Sequence, residues 1–266
     1  CRRPCPWRTL AKPRPISPGS WTIPSHASFF TGLPVQEHGT HFTGAGEDIA
    51  GLVIRPLAAE FPTLAEQMAA AGYQTTAVSG NKVVRPESGL DRGFSSFRAA
   101  PWGSWWRGDD LLPPLRDALR ELDEDGGPLF LFVNIFDAHD PWSAVPAGHP
   151  WLPARPGSLL FFAFRPGTLD IDPDGPWQRY VQGRMSPEEA AALRADVSDR
   201  YDLALWRADR TLGRVLDTVR AHGWADAGMR LVVTSDHGEF LGEEGVLRHG
   251  RYLWEGNQRV PLLVLD

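Results

Sequence analysis

Four short clusters hold the residues best suited to chemistry. In Val232-Val-Thr-Ser-Asp-His-Gly-Glu239 an apolar run delivers Asp236 and His237 side by side. A carboxylate next to an imidazole at the end of a strand suits a divalent metal, with Gly238 letting the backbone turn sharply. The same residues also read as a turn cap and a solvated loop histidine. In Asn134-Ile-Phe-Asp-Ala-His-Asp-Pro-Trp142, Asp137, His139 and Asp140 could hold an anion or give a proton to a leaving group, or could form an Asx turn with an incidental histidine. Arg248-His-Gly250 adds His249, which alone says little. In Trp21-Thr-Ile-Pro-Ser-His-Ala-Ser-Phe-Phe-Thr-Gly-Leu33, Pro24 suits the first position of a short helix and Gly32 its end, so the helix amides and dipole would face Thr22. That arrangement serves an oxyanion beside a hydroxyl nucleophile, and serves a plain helix cap equally well.

The elements around these clusters alternate. From Phe61, Thr63 reads as an N-cap with Glu66 three residues later, then Leu64, Met68 and Ala71 as an apolar stripe, Gly72 as a stop, and Gln74–Ser79 as a strand. Residues 111–123 predict a helix beginning at its prolines, followed by the buried strand Leu129–Phe136. Residues 142–182, rich in Pro, Gly and Trp, predict a long ordered loop of the kind that usually carries function. Ser186-Pro-Glu-Glu189 opens a long helix whose buried stripe is Leu193, Val197, Tyr201, Leu205, Ala208, Leu212, Val215 and Val219. His222-Gly223 ends it, and Met229–Asp236 follows as a buried strand. Helices alternating with apolar strands predict an α/β fold, a mostly parallel sheet with helices on both faces and function at the strand ends.

A chain of 266 residues with 42% apolar content can build a substantial core. A net charge of −6 and a pI near 5.8, without a Lys/Arg stripe, argue against nucleic-acid binding. No apolar run approaches the roughly 20 residues of a membrane span, and no signal peptide is visible, which favours a cytoplasmic location. Cys1 and Cys5 make neither a disulfide framework nor a metal site. Residues 1–15 lack a hydrophobic period and read as an atypical, disordered or mis-framed N-terminus, with one catalytic domain over 16–266 that reads as incomplete at its end.

The segments WTIPSHASFFTGLPVQEHG, FVNIFDAHDPW, YDLALWRADRTLGRVLDTVRAHG and VVTSDHGEFLGEEGVLRHGRYLWEGNQRVPLLV resemble, in order and spacing, the sulfatase family of the alkaline phosphatase superfamily. The resemblance covers about residues 16–266 and implies an alkaline-phosphatase-like fold and a metal-dependent hydrolase of sulfate esters. It places Thr22 at the nucleophile position and His26 where an arginine of the motif usually stabilises it. It makes His139 a substrate-contacting histidine and His249 the counterpart of a basic residue touching the transferred group. It makes Asp236 and His237 a metal pair for Ca²⁺, Mn²⁺ or Zn²⁺, and sets His38 and Asp137 at the edge of the substrate site. Two departures matter. A threonine cannot be oxidised to formylglycine, so that cofactor is not expected, and Thr22 would act directly, as in the phosphodiesterase and phosphotransferase branches. The strand with which relatives supply further metal carboxylates has no equivalent before Thr22, which predicts weak metal binding and slow turnover. The expected partner is a small-molecule sulfate or phosphate ester. The alternatives are phosphoester hydrolysis or phosphoryl transfer through Thr22, and a truncated pseudo-enzyme that keeps only an anion pocket.

Overall fold

The computed structural model describes residues 15–43, 53–123, 126–140, 142, 172–224 and 228–265. The atypical stretch 1–15, apart from Pro15, and residues 143–171 of the long loop lie outside the described residues. In chain order the elements are α1 (Thr22–Thr31), α2 (Val35–His38), β1 (His41–Thr43), β2 (Val53–Arg55), α3 (Leu64–Ala70), β3 (Gln74–Ser79), β4 (Ser96–Ala99), α4 (Leu112–Arg120), β5 (Leu129–Asn134), α5 (Pro176–Val181), α6 (Pro187–Ala221), β6 (Leu231–Thr234), β7 (Phe240–Leu241), β8 (Leu247–Arg248), α7 (Glu255–Gln258) and β9 (Leu262–Leu265).

The core sheet is parallel, with β3 between β4 and β5 and Ser79 level with Ala99 and Asn134. Strand pleating sends alternate residues to opposite faces, and β5 uses both. Leu129, Leu131 and Val133 join Leu111, Leu115, Leu119, Val215 and Val219 under α4 and α6. Phe132 joins Ile23, Ala27 and Phe30 of α1 on the other face, with Phe97 of β4. Helices therefore cover both faces, as parallel strands require. A third cluster, Trp142, Val197 and Ala204 with Leu241 and Leu247, seats β7 and β8 against the first half of α6.

Both capping boxes form: Thr63 with Glu66 and Ser186 with Glu189, each pair exchanging backbone amides, with Pro187 at the start of α6. Other expectations need correction. On α3 the buried residue is Ala65, while Leu64 is 37% exposed, because Gly93 packs its backbone directly against Ala65 and Glu66. The 35-residue α6 turns past more than one neighbour, so Leu205 faces outward and Leu203, Ala204 and Thr211 replace it inside. A 3-10 turn over Gly108–Leu111 precedes α4, which starts at Leu112 just before its prolines. Within 142–182, Pro176 nucleates α5, so that segment is not all loop. β6 is not buried: it pairs antiparallel with β9, and Val232 is 55% exposed, since among the described residues only one face of this pair is covered. The side-chain burial yields a direct contrast. Leu115→Ala is expected to cost about 2–5 kcal/mol in urea unfolding, whereas Leu205→Ala on α6 stays within about 0.5 kcal/mol.

Candidate active site

Helix α1 points its N-terminus at the C-terminal side of the sheet. Its N-cap is Trp21, held extended at φ −167° and ψ 172°, and no side chain caps the first amides. The indole stacks on Phe42 at 4.1 Å and donates to His41 Nε2 at 3.2 Å, which fixes this entry. Thr22 is therefore the first helical residue and not the cap, and Pro24 stands third instead of first. The end is as expected: Gly32 adopts φ 71° and donates its amide to Ser28. The uncapped amides and the positive end of the helix dipole open beside the Thr22 side chain, which is 5% exposed as a residue.

One turn on, His26 Nδ1 lies 2.9 Å from the Thr22 carbonyl and 3.6 Å from Asp236 Oδ2. Asn134, the last residue of β5, donates from Nδ2 to His26 Nε2 at 3.3 Å, a pattern that fits a proton on Nδ1. Asp236 follows β6, and its backbone carbonyl accepts from Ser17, whose hydroxyl also meets Ser25 of α1 at 3.2 Å. His237 Nε2 lies 3.5 Å from Asp236 Oδ2, while its Nδ1–H donates to the Gly238 carbonyl at 2.8 Å. Burial would push the Asp236 carboxyl up, but His237, His26 and His249 outweigh it and hold it at about 2. Gly238 has no positive φ. Its amide donates to Asn257 at 2.6 Å, and a Cβ there would lie 2.2 Å from the Gly256 carbonyl, so close approach is what requires glycine.

His249 completes this wall. Its Nδ1–H donates to Glu239 Oε2 at 2.9 Å, and its ring lies 4.1 Å from that of His237 and edge-on to His139 at 5.0 Å. Burial alone would lower His249, but the Glu239 carboxylate raises it; at His237 burial wins over Asp236 and lowers the imidazole. Gly250 approaches Trp21, so the Arg248–Gly250 loop borders the start of α1. Opposite, His139 stacks on Phe136 at 4.4 Å and meets Asp140 Oδ1 at 2.8 Å. The second Asp140 oxygen takes Arg248 Nη2 at 2.8 Å, and Arg107 grips the His139 and Asp140 carbonyls at 2.8 and 3.0 Å. Burial raises the Asp140 carboxyl, yet Arg248, His139 and His249 together hold it far below the usual carboxylate range. Arg248 reaches Asp140 from a backbone at φ 71°, a conformation non-glycine residues seldom adopt.

Thus Thr22, His26, His139, Asp236, His237 and His249 are linked through contacts from α1, the end of β5, the end of β6 and the loop after β8. Asp137 and His38 are engaged elsewhere. Both Asp137 oxygens take the Gly108 amide at 3.1 Å, tying β5 to the turn before α4. His38 donates from Nε2 to Ser28 at 2.9 Å and accepts the Thr40 amide at 3.0 Å, six residues and roughly 9 Å along α1 from Thr22. The contacts add Ser17, Arg107, Asn134 and Glu239 to the site. Glu239 and Asn134 lie inside quoted clusters and could have been flagged there; Arg107 and Ser17 carry no local signal. Asp236 and His237 would supply two donors to a divalent metal, but among the described residues no group of three His, Cys, Asp or Glu side chains is placed to hold one. The described residues by themselves therefore do not complete a metal site.

This constellation joins the carboxyl end of β5 in the helix-covered parallel sheet to the carboxyl end of β6 in the antiparallel β6–β9 pair, in an alkaline-phosphatase-type α/β domain. The sulfatase family profile matches residues 9–266, and the chain belongs to the sulfatase family. Among solved structures it is similar to BT4656 in complex with its substrate D-glucosamine-2-N,6-O-disulfate (17% identity, 95% of this chain and 63% of that one, TM-score 0.60). It is similar also to the C-terminal periplasmic domain of EcEptC from Escherichia coli in complex with Zn (17%, 94% and 60%, 0.56). The soluble domain of lipooligosaccharide phosphoethanolamine transferase A from Neisseria meningitidis is likewise similar (17%, 94% and 63%, 0.53). At these identities the likeness shows the fold, and the chain spans about three fifths of the length of those structures. No curated protein matches the chain. Among the described residues no helix is long and apolar enough to cross a membrane.

The Asp140–Arg248 pair can be checked directly. Arg248→Ala strands a buried carboxylate and is expected to cost about 3 kcal/mol in urea unfolding. In the Asp140→Asn background the same change is expected to cost clearly less, giving a double-mutant coupling of about 1 kcal/mol or more.

Proposed function

We propose that this chain is the catalytic core of a sulfatase-type hydrolase that cleaves sulfate esters. The observation that carries the reading is the convergence of Asp236, His26, His237 and His249 beside the uncapped start of α1, where Thr22 is the first residue. The free amides of that turn donate hydrogen bonds to the non-bridging oxygens of a tetrahedral ester and stabilise the charge that builds on them in the transition state. Thr22 Oγ then forms a bond to sulfur, losing its hydroxyl proton to a solvent water, as the bond from sulfur to the alcohol oxygen breaks. His249, held by Glu239, or His139, held by Asp140, gives a proton to that departing oxygen, and a water molecule later attacks sulfur, releasing sulfate and returning the proton to Thr22 Oγ.

Two observations bound the rate and widen the substrate range. Among the described residues none hydrogen-bonds the Thr22 hydroxyl, so no base there takes its proton. Asp236 meanwhile keeps a negative charge next to an anionic substrate. A divalent cation between them would screen that charge, and it would need donors beyond Asp236 and His237. The second reading is transfer of a phosphoryl-containing group: a threonine attacks phosphorus directly, and the chain shares its fold with a phosphoethanolamine transferase as well as with BT4656, whose substrate is a disulfated glucosamine. Recognition of the leaving group falls to loops such as 102–106, where Lys82 and Arg107 flank Trp105.

Two outcomes are expected. A panel of aryl sulfates, phosphate monoesters and phosphate diesters shows slow turnover with sulfates fastest, and Thr22→Ala lowers kcat/KM at least about 100-fold; a phosphate diester as the best substrate, with product passed to an added alcohol, selects the transferase reading. Calorimetric titration of this chain with Mn²⁺, Zn²⁺ or Ca²⁺ gives dissociation constants no tighter than about 0.1 mM; micromolar binding would show the metal site to be complete.

A further inference from the structure

The inward stripe of α6 includes one side chain whose polar end the packing leaves unused. Tyr201 is half-buried, and together with Leu241 and Leu247 it packs against Trp142, Val197 and Ala204. That places it where α6 supports both walls of the site. On one side Trp142 meets the ring edge-on at 5.6 Å, and its Nε1–H donates to the Ala138 carbonyl at 2.9 Å, in the turn that carries His139. On the other, Leu241 and Leu247 belong to the β7–β8 hairpin that leads to His249. The Tyr201 hydroxyl makes no hydrogen bond among the described residues, and unlike Glu239 Oε1, which is buried without a partner, it is not closed to solvent. Its surroundings show which way it opens. Burial pushes the phenol up to about 12, and carboxylates push the same way, Glu239 more than Asp202, the next residue along α6, with Asp236 third. The hydroxyl end therefore lies toward Glu239 and Asp236, and it keeps its proton through the neutral range.

We propose that Tyr201 is a further substrate-contacting residue, whose hydroxyl donates a hydrogen bond to a non-bridging oxygen of the tetrahedral group held at the start of α1. This contact rests on the ester reading above for the place of that group. A neutral O–H supplies a donor on the side where Glu239 and Asp236 would otherwise repel an anion, and its bond strengthens as charge builds on the oxygen. Orthovanadate, a tetrahedral oxyanion with no ester bond to cleave, tests it by calorimetry, beside turnover of aryl sulfates. The wild-type chain is expected to bind vanadate saturably below about 5 mM. Tyr201→Phe keeps the ring and its packing, so its near-ultraviolet circular dichroism and urea midpoint are expected to match wild type. The same variant is expected to weaken vanadate about fivefold to tenfold and to lower kcat/KM about tenfold. Tyr252→Phe, at an exposed tyrosine beyond His249, is expected to change neither. Vanadate binding that depends on Tyr201 in a chain that turns over no ester supports the contact and sinks the hydrolase reading instead. Vanadate affinity in Tyr201→Phe within about twofold of wild type, an equal loss in Tyr252→Phe, or no saturable binding to the wild-type chain overturns the assignment.

Discussion

Asp236 keeps its charge although only 20% of its side chain is exposed, and the arrangement of the site follows from how that charge is stabilised. A carboxylate removed from water needs opposite charge or hydrogen-bond donors close by, or it takes up a proton. Here the stabilising groups are three histidines from three segments: His237 next in sequence, His26 one turn into α1, and His249 at the end of the β7–β8 hairpin. Each needs its own anchor. α1 is held by apolar packing on the sheet and by Ser17 bridging Ser25 to the Asp236 carbonyl. The backbone at Gly238 presses on Gly256, which sets the direction of His237. Tyr180, donating to the Gly242 carbonyl at 2.6 Å, ties the turn between β7 and β8, the hairpin that leads to His249, to α5.

The more deeply buried carboxylate of the two, Asp140, is stabilised differently. Its partner Arg248 sits in a left-handed backbone conformation, a local cost that the ion pair and the packing of β7 and β8 on α6 offset. Because Arg248 and His249 are adjacent, the pair that neutralises Asp140 also delivers His249 to Glu239 and His237. The two walls of the site are thereby coupled through one dipeptide, and a change at either carboxylate is felt at both.

Much of the fold was legible because it rests on local rules. Capping boxes at Thr63 and Ser186, the apolar runs of β3 and β5, and the alternation of helix and strand all depend on residues a few positions apart. Burial was legible only where one neighbour dominates. Leu205 and Leu64 fit a helical stripe but face outward, since which side of a helix is covered depends on elements far away in the chain. β6 reads as a buried strand by composition, yet its antiparallel pairing with β9 leaves Val232 exposed.

The candidate site divides along the same line. By itself the sequence determined the chemical inventory and the family: an Asp-His pair after one strand, an Asp/His cluster after another, and a hydroxyl ahead of a short helix, in an order that matches sulfatases. It also determined that formylglycine cannot form at Thr22. Only the tertiary structure decided that Trp21 rather than Thr22 caps α1, that His26 and His249 converge on Asp236, and that His38 and Asp137 serve other contacts. Ser17, Arg107 and the unsatisfied oxygen of Glu239 belong to this second group. The physical reason is range. Residue type and capping chemistry act within a turn or two, whereas the charge and hydrogen-bond partners of a buried group are set by whichever distant segments the packing brings within about 4 Å.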